Sequence, residues 1–295
     1  MAISTAMIKE LRQETGAGVL DCKKALEATN GDYDQAAEYL REKGLDAAAK
    51  KASREANDGL VNVLVDPAGQ LGAIVEVNCE TDFVARTADF QSFVDAIVRQ
   101  VAQDPGLSGV PALLNQPFIE NESVTVGESL TQLIAKLGEN IVLRRFTRVQ
   151  RDGSGLIEGY LHHGSRIGVI VSVSADSTAV AGSGGFRELI HDLALQIAAA
   201  APHYVSPEDV PDLVLESEEA KHWAMVAEEQ KPDHIKERIV SGRLDKWYQE
   251  TCLLRQPFVK DESLNVSDLL AQKSSELGSS LSIDQFVRYE LGSDE

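Results

Sequence analysis

The stretch GLVNVLVDPAGQLGAIVEV at residues 59–77 aligns without a gap to GLIEGYLHHGSRIGVIVSV at residues 155–173, which begins 96 positions later. The same offset continues along the chain and pairs Gln100 with Gln196. A long repeat in one register indicates that a structural unit occurs twice. We therefore expect both copies to share one architecture, so the structure of this stretch also predicts that of its repeat.

A second alignment extends the repeat and reveals an insertion. The segment QPFIENESVTVGESL at residues 116–130 aligns to QPFVKDESLNVSDLL at residues 256–270 with an offset of 140. The larger offset corresponds to 44 additional residues in the second copy. Residues 208–250 carry Glu, Lys, Ala and Trp at helical spacings, with Lys231 and Pro232 near the centre. The pattern predicts an inserted helical hairpin, a short coiled coil.

The pattern within each copy predicts an α+β fold. In the first copy, two β-rich runs at residues 60–65 and 71–77 flank a glycine-containing turn, which is typical of a β-hairpin. An apolar face at helical spacing follows between residues 90 and 101, and a second helix is predicted at residues 127–137 before a last β-rich run. We expect an antiparallel sheet with helices on one face.

The N-terminal region predicts a compact three-helix headpiece. Three short apolar patterns at helical spacing are separated by TGAG at residues 15–18 and by Asn30-Gly31, and Gly44 is expected to end the third helix. The Ala-rich, charged stretch that follows has little to bury. The predicted organisation is a headpiece at residues 1–45, a partly helical linker at 46–57, and core copies at 58–150 and 151–295.

Charge is distributed unevenly along the chain. The formal net charge is −19, yet residues 1–56 hold nine basic and ten acidic side chains, so the acidity lies in the body. Sequence-independent affinity for nucleic acids needs clustered Lys and Arg, and this composition argues against a direct nucleic-acid partner. The acidic surface either aids solubility or steers a basic partner.

The cysteine content and the hydropathy pattern favour a cytoplasmic protein. The three cysteines, Cys22, Cys79 and Cys252, lie far apart without a CxxC pair, which supports neither a disulfide framework nor a zinc site. No apolar run reaches the length of a membrane span, and the N-terminus has no secretory pattern. We expect neither membrane insertion nor secretion.

Motifs for common catalytic and cofactor chemistry are missing from the sequence. No segment fits the phosphate-binding, dinucleotide-binding, zinc-protease, hydrolase or EF-hand patterns, and we therefore expect no cofactor, no metal and no enzymatic activity. His162 and His163 replace Asp66-Pro67 of the first copy, so they are expected to be exposed turn residues.

Two segments are candidate protein-binding surfaces. In TGAGVLDCKKAL, Cys22 and Leu26 account for the core seam of the helix, which leaves Val19 and Leu20 either in the core or exposed. On composition alone, Lys23 in the same helix is expected to be a solvated charge.

The second candidate segment is NCETDFVAR at residues 78–86. Thr81 and Asp82 are residue types that cap helix N-termini, and Phe83 follows in the first turn of the predicted helix. Phe83 is either buried beneath the capped turn or offered to a partner.

Four motifs together resemble the translation elongation factor Ts family. They are TGAGVLDCKKALEATNGD at residues 15–32, VEVNCETDFVA at 75–85, LGENI at 137–141 and HHGSRIGVIV at 162–171. The resemblance covers nearly the whole chain in the family's order. It implies a headpiece similar to ubiquitin-associated (UBA) domains, two core subdomains related by duplication, and a coiled-coil arm.

The resemblance also implies a function: the chain is expected to act as a guanine-nucleotide exchange factor for the GTPase elongation factor Tu. It implies a motif, Thr81-Asp82-Phe83-Val84, in which Asp82 and Phe83 press beside the partner's magnesium and phosphates. The other partner-binding residues that it implies are Val19, Leu20 and Lys23 toward the GTPase domain, and Leu137, Gly138 and His163 toward contacts that include a more distant domain. A homodimer and a heterotetramer with the partner both remain open.

Two rival functions remain open at this point. An adaptor would bind a protein through the headpiece without changing nucleotide release. An acid–base enzyme would require a concave pocket with convergent titratable groups, of which the sequence shows no sign.

Overall fold

The computed structural model describes residues 3–162 and 164–293. Its first three helices form a bundle around a small apolar core. Ser4 caps the first helix by accepting a hydrogen bond from the Met7 amide, and Gly16 in the left-handed conformation ends it. The helices are α1 (Thr5–Thr15), α2 (Val19–Ala28) and α3 (Tyr33–Lys51). The fully buried residues are Leu11, Cys22, Ala25, Leu26 and Ala36.

The third helix does not end at Gly44, so that prediction is wrong. It continues to Lys51, and Gly44 is buried within it. A Cβ atom at Gly44 would lie 3.8 Å from the side chains of Thr131 and Ala135. The glycine therefore marks a close approach between two helices, which keeps α3 helical by tertiary packing despite the low helix propensity of glycine.

The first half of the core is built on a three-stranded antiparallel sheet in the order β1-β2-β5. Its strands are β1 (Asp58–Val65), β2 (Leu71–Cys79) and β5 (Ile141–Gln150). A small hairpin consists of β3 (Pro117–Phe118) and β4 (Asn121–Thr125). The helices are α4 (Asp82–Ala85), α5 (Ala88–Gln103), α6 (Val110–Leu114) and α7 (Val126–Leu137).

The second half has its own antiparallel sheet in the order β10-β7-β6. Its strands are β6 (Gly155–His162), β7 (Ile167–Ala175) and β10 (Leu281–Glu290), with a small hairpin of β8 (Pro257–Phe258) and β9 (Asp261–Asn265). The helices are α8 (Thr178–Ala181), α9 (Gly184–Ala200), α10 (Asp212–Val226), α11 (Asp233–Thr251) and α12 (Val266–Leu277). The α+β class is confirmed, whereas the domain boundaries, the duplication and the UBA likeness stay predictions.

The two sheets pack face to face, and helices cover their outer faces. Alternate residues of β2 point to the two sides, so Val75 lies in the cluster with α5, whereas Ile74 joins Ile170 of β7 in the layer between the sheets. A Cβ atom at Gly168 would lie 2.5 Å from Val61 Cγ1, so the close approach of the sheets requires glycine there. The β1–β2 hairpin pairs Val65 with Gly72, as the β6–β7 hairpin pairs Leu161 with Gly168.

Helices α10 and α11 form a hairpin in the segment that the sequence predicts to be inserted. Val226 and Val240 are buried in it, and Pro232 precedes the second helix. At its base, the Thr251 carbonyl accepts hydrogen bonds from the amides of His203 and Tyr204. Among the described residues, we find no helix with the length and apolarity to cross a bilayer.

Candidate protein-binding site

A single helical turn presents Phe83 to solvent. Strand β2 ends at Cys79, and Thr81 caps the four-residue helix α4 by accepting a hydrogen bond from the Val84 amide. Val84 faces the core, whereas Phe83 is 80% exposed. Phe83 is therefore not a core residue, and the interpretation of a phenyl ring buried beneath the capped turn is excluded.

The carboxylate of Glu139 holds the backbone of this turn. Its Oε2 accepts hydrogen bonds from the amides of Glu80 at 3.1 Å and Thr81 at 3.0 Å. Its Oε1 accepts a hydrogen bond of 2.6 Å from the Thr81 hydroxyl. Sequence reasoning assigned no role to Glu139, although it lies in the LGENI motif. A separation of 58 residues along the chain hides such a contact from any local pattern.

Asp82 adds charge beside the exposed ring. Its carboxylate lies 2.7 Å from the Arg86 guanidinium one helical turn later, and the Asp82 and Arg86 side chains are 45% and 78% exposed. Such an exposed pair contributes little to stability. An open groove of about 530 Å³ lies next to this pair, between α4 and the loop at residues 164–166.

The headpiece exposes a second apolar pair. Helix α2 begins at Val19, which is 51% exposed, and Leu20 is 70% exposed. Cys22 lies in the bundle core, as the helical pattern predicts. Lys23 is exposed, with its ammonium 3.7 Å from the Glu27 carboxylate.

The remaining predicted contact residues lie at the C-terminal end of α7. Leu137 is half-buried against the core of the first half. Gly138 is exposed and adopts the left-handed conformation that ends the helix. His163 lies outside the described residues.

The structure brings the end of α7 next to the Phe83 turn, whereas Val19 and Leu20 lie on the separate headpiece. Residues beyond the end of α3 connect the two regions. The Arg54 guanidinium lies 3.4 Å from the Glu80 carboxylate, and the Arg54 carbonyl accepts a 2.8 Å hydrogen bond from the Asn140 side chain. The stretch predicted to be a linker is thus bonded to the turn.

The thiols are unsuited to nucleophilic chemistry. Cys22, Cys79 and Cys252 are free and buried, and burial is the main cause that raises the pKa of each thiol, to about 12 for Cys79. Across residues 3–162 and 164–293, no group of three or more His, Cys, Asp or Glu side chains is placed to hold a metal ion.

Comparisons with known proteins agree on one family. Residues 80–293 match the family described as elongation factor TS. A relative named elongation factor Ts from Clostridium kluyveri is 44% identical over 290 residues, which cover 98% of this chain and 93% of the relative. Proteins of the same name from Nostoc sp. (strain PCC 7120) and Trichlorobacter lovleyi are 41% and 43% identical, over 98% and 99% of this chain and 92% and 93% of the relatives.

Proposed function

The chain belongs to the elongation factor Ts family, and we propose that it is a guanine-nucleotide exchange factor for elongation factor Tu in the cytoplasm. It binds the GTPase and promotes release of GDP during translation elongation, without making or breaking a covalent bond. The observation that carries the proposal is the exposure of Phe83 on a turn whose backbone is fixed by hydrogen bonds.

An exposed phenyl ring is suited to binding a partner. Transfer of a large apolar side chain from water into a pocket of another protein lowers the free energy of the complex. Aromatic anchors of this kind contribute most of the binding energy at many interfaces. The ring belongs to the four-residue helix α4, which follows strand β2, and it is exposed to solvent. Phe83 acts as a wedge that enters the GTPase.

The wedge acts on the magnesium and phosphate region of the partner. GTPases hold their nucleotide partly through Mg²⁺, which bridges phosphate oxygens and protein ligands. Displacement of these ligands by Phe83, with the Asp82 carboxylate beside it, weakens the binding of GDP. The factor supplies binding energy at this point and needs no catalytic group of its own.

Other surfaces hold the factor on its partner. Val19 and Leu20 offer an exposed apolar pair to the GTPase domain, and Lys23 adds a positive charge beside them. Leu137 and Gly138, together with His163, contribute contacts that include a more distant domain of the partner. Two surfaces on one chain raise the effective concentration of the wedge at its target.

Exchange proceeds in both directions because the coupling is reciprocal. A protein that lowers the affinity of a GTPase for nucleotide is itself bound less tightly when nucleotide is present. The two affinities fall by the same ratio. Either GDP or GTP therefore displaces the factor from the complex. The nucleotide that prevails is set by the concentrations present.

The test is the release of labelled GDP from elongation factor Tu, with and without this protein, in an excess of unlabelled nucleotide. We expect release to accelerate in proportion to the concentration of the factor. Added GDP should in turn weaken binding of the factor. Binding that leaves the rate of GDP release unchanged would contradict the proposal and favour an adaptor.

A further inference from the structure

Hydrogen bonds connect the turn that carries Phe83 with the segment that follows α7, and each of the two segments donates to the other. Glu139 accepts three hydrogen bonds from Glu80 and Thr81. In the opposite direction, the Asn140 amide donates a 2.6 Å hydrogen bond to the Glu80 carboxylate. Asn140 is itself buried, so this connection lies partly out of water. The turn is thus fixed by groups that belong to a distant part of the chain.

The second half contains the same connection in a weaker form. Ser280 donates its amide to the Asp176 carboxylate at 2.6 Å, as Asn140 does to Glu80. In place of the Glu139 carboxylate, the Ser279 hydroxyl accepts a single hydrogen bond of 3.1 Å from the Asp176 amide. The turn that it holds carries Ala179 at the position of Phe83. The stronger connection thus occurs in the half that exposes an aromatic ring.

A four-residue helix needs outside support to keep one conformation. Forming a first helical turn costs more backbone entropy than its few hydrogen bonds return, and isolated short helices are unstable in water. Hydrogen bonds that backbone amides donate to a carboxylate are charge-assisted and stronger than those donated to a hydroxyl oxygen. An ordered turn presents the ring without an ordering cost at the moment of binding.

We infer that Glu139 is a positioning residue for exchange: its carboxylate pre-orders the turn, so that Phe83 enters the partner in a fixed orientation. The inference rests on the proposed function. Glu139 acts through the ring and makes no contact with nucleotide. Its removal lowers the exchange rate even though Phe83 is still present.

The first experiment measures exchange with a double-mutant cycle of Glu139→Ala and Phe83→Ala. Glu139→Ala should lower the exchange rate per folded molecule by about tenfold, the factor expected when roughly one residue must be ordered on binding. In the Phe83→Ala background it should cause no further loss, because the ring through which it acts is gone. Effects that multiply would overturn the inference, as would unchanged exchange in Glu139→Ala.

Two further variants separate positioning from a general loss of structure. Glu139→Gln keeps a neutral oxygen for the backbone amides and should restore most of the rate. Ser279→Ala removes the equivalent acceptor in the second half and should leave exchange unchanged. A Glu139→Gln variant as slow as Glu139→Ala, or a Ser279→Ala variant equally impaired, would count against the assignment.

The second experiment needs no GTPase. Amide hydrogen exchange of Glu80 and Thr81 in the free protein should accelerate in Glu139→Ala and stay slow in Ser279→Ala. Unchanged protection in Glu139→Ala would refute the pre-ordering of the turn. If the wild-type protein fails to accelerate GDP release from elongation factor Tu while this protection pattern holds, the proposed function is wrong and the ordering role of Glu139 stands.

Discussion

The two halves of the core share an internal framework and differ at the surface. Gln100 in the first half donates from its side-chain nitrogen to the Pro117 carbonyl at 2.9 Å, and its side-chain oxygen accepts the Ile119 amide. Gln196 in the second half makes the same two bonds, to Pro257 and Val259. Replacing a buried side-chain amide that makes such hydrogen bonds lowers the stability of the fold, because its partners are left without a bond.

The turn after the second strand shows where the halves diverge. The first half carries Phe83 there, exposed to solvent, and the second half carries Ala179. A side chain in water is under little constraint from packing, so this position is free to acquire a role in binding. Equivalent buried residues therefore reflect the shared fold, whereas the unequal exposed residues show where the two halves can be tested for the proposed binding role.

The layer between the sheets offers the most severe test of this comparison. Glu76 is fully buried and accepts hydrogen bonds from Arg145 at 2.7 Å and from the Gly292 amide at 2.9 Å. The equivalent position in the second half is Ser172, whose hydroxyl donates to Asp284 at 2.9 Å. One half therefore holds a buried charge where the other holds a neutral hydroxyl.

We expect Glu76→Ala to lower the free energy of unfolding by about 3 kcal/mol, because it removes the buried carboxylate to which the partly buried Arg145 and a backbone amide are bonded. Ser172→Ala should cost only about 1 kcal/mol. Urea unfolding of both variants measures the difference. Equal losses would mean that the two networks support the sheets to the same extent.

The second prediction concerns the exposed turns. Phe83→Ala should slow GDP release by on the order of thirtyfold, which corresponds to about 2 kcal/mol for an interface hot spot. Its unfolding free energy should hardly change, because the ring is in water. Ala179→Ser is the matched control and should affect neither quantity. A large fall in melting temperature, with exchange per folded molecule intact, would contradict the wedge.

The third prediction concerns the β-hairpin turns. Burial raises the pKa of Asp66, but hydrogen bonds from the amides of Leu71, Gln70 and Ala68 together outweigh it and lower the pKa below its ordinary value of 3.8. A lowered pKa stabilises the fold above pH 3.8, and this contribution is lost as the pH falls through the folded-state pKa. The second half has His162 at this position.

Asp66→Asn should therefore reduce stability by about 1 kcal/mol at neutral pH. The difference from wild type should shrink as the pH falls below 3.8. Thermal unfolding across this pH range measures both effects. A difference that stays constant down to strongly acidic pH would show that the carboxylate charge is not responsible.

The smallest effect is expected from shortening the helical hairpin, which the first half lacks. Replacing residues 213–247 by a short Gly-Ser linker retains the base, where Thr251 bonds to His203 and Tyr204. Because the equivalent half closes without such a hairpin, the core should unfold cooperatively with nearly unchanged stability. Loss of a cooperative transition would show that α10 and α11 belong to the core.

Much of the architecture could be predicted from local pattern alone. The β-rich runs of β1 and β2 around a glycine-containing turn and the helical seam of α5 indicated their types of structure, and the α+β class is confirmed. The pattern also left Phe83 with two interpretations, since an aromatic residue after a cap occurs both in cores and at interfaces. Burial depends on what lies above the turn, which local sequence does not state.

Local sequence indicated the order of the main strands and helices, because apolar spacing, β-rich runs and turn residues are properties of neighbouring positions. Three features became visible in the three-dimensional packing alone: α3 runs past Gly44, Glu139 holds the Phe83 turn, and Ile74 packs with Ile170 between the two sheets. Each of these features joins residues far apart in the chain. Such contacts form where packing brings surfaces together, and no local periodicity encodes them.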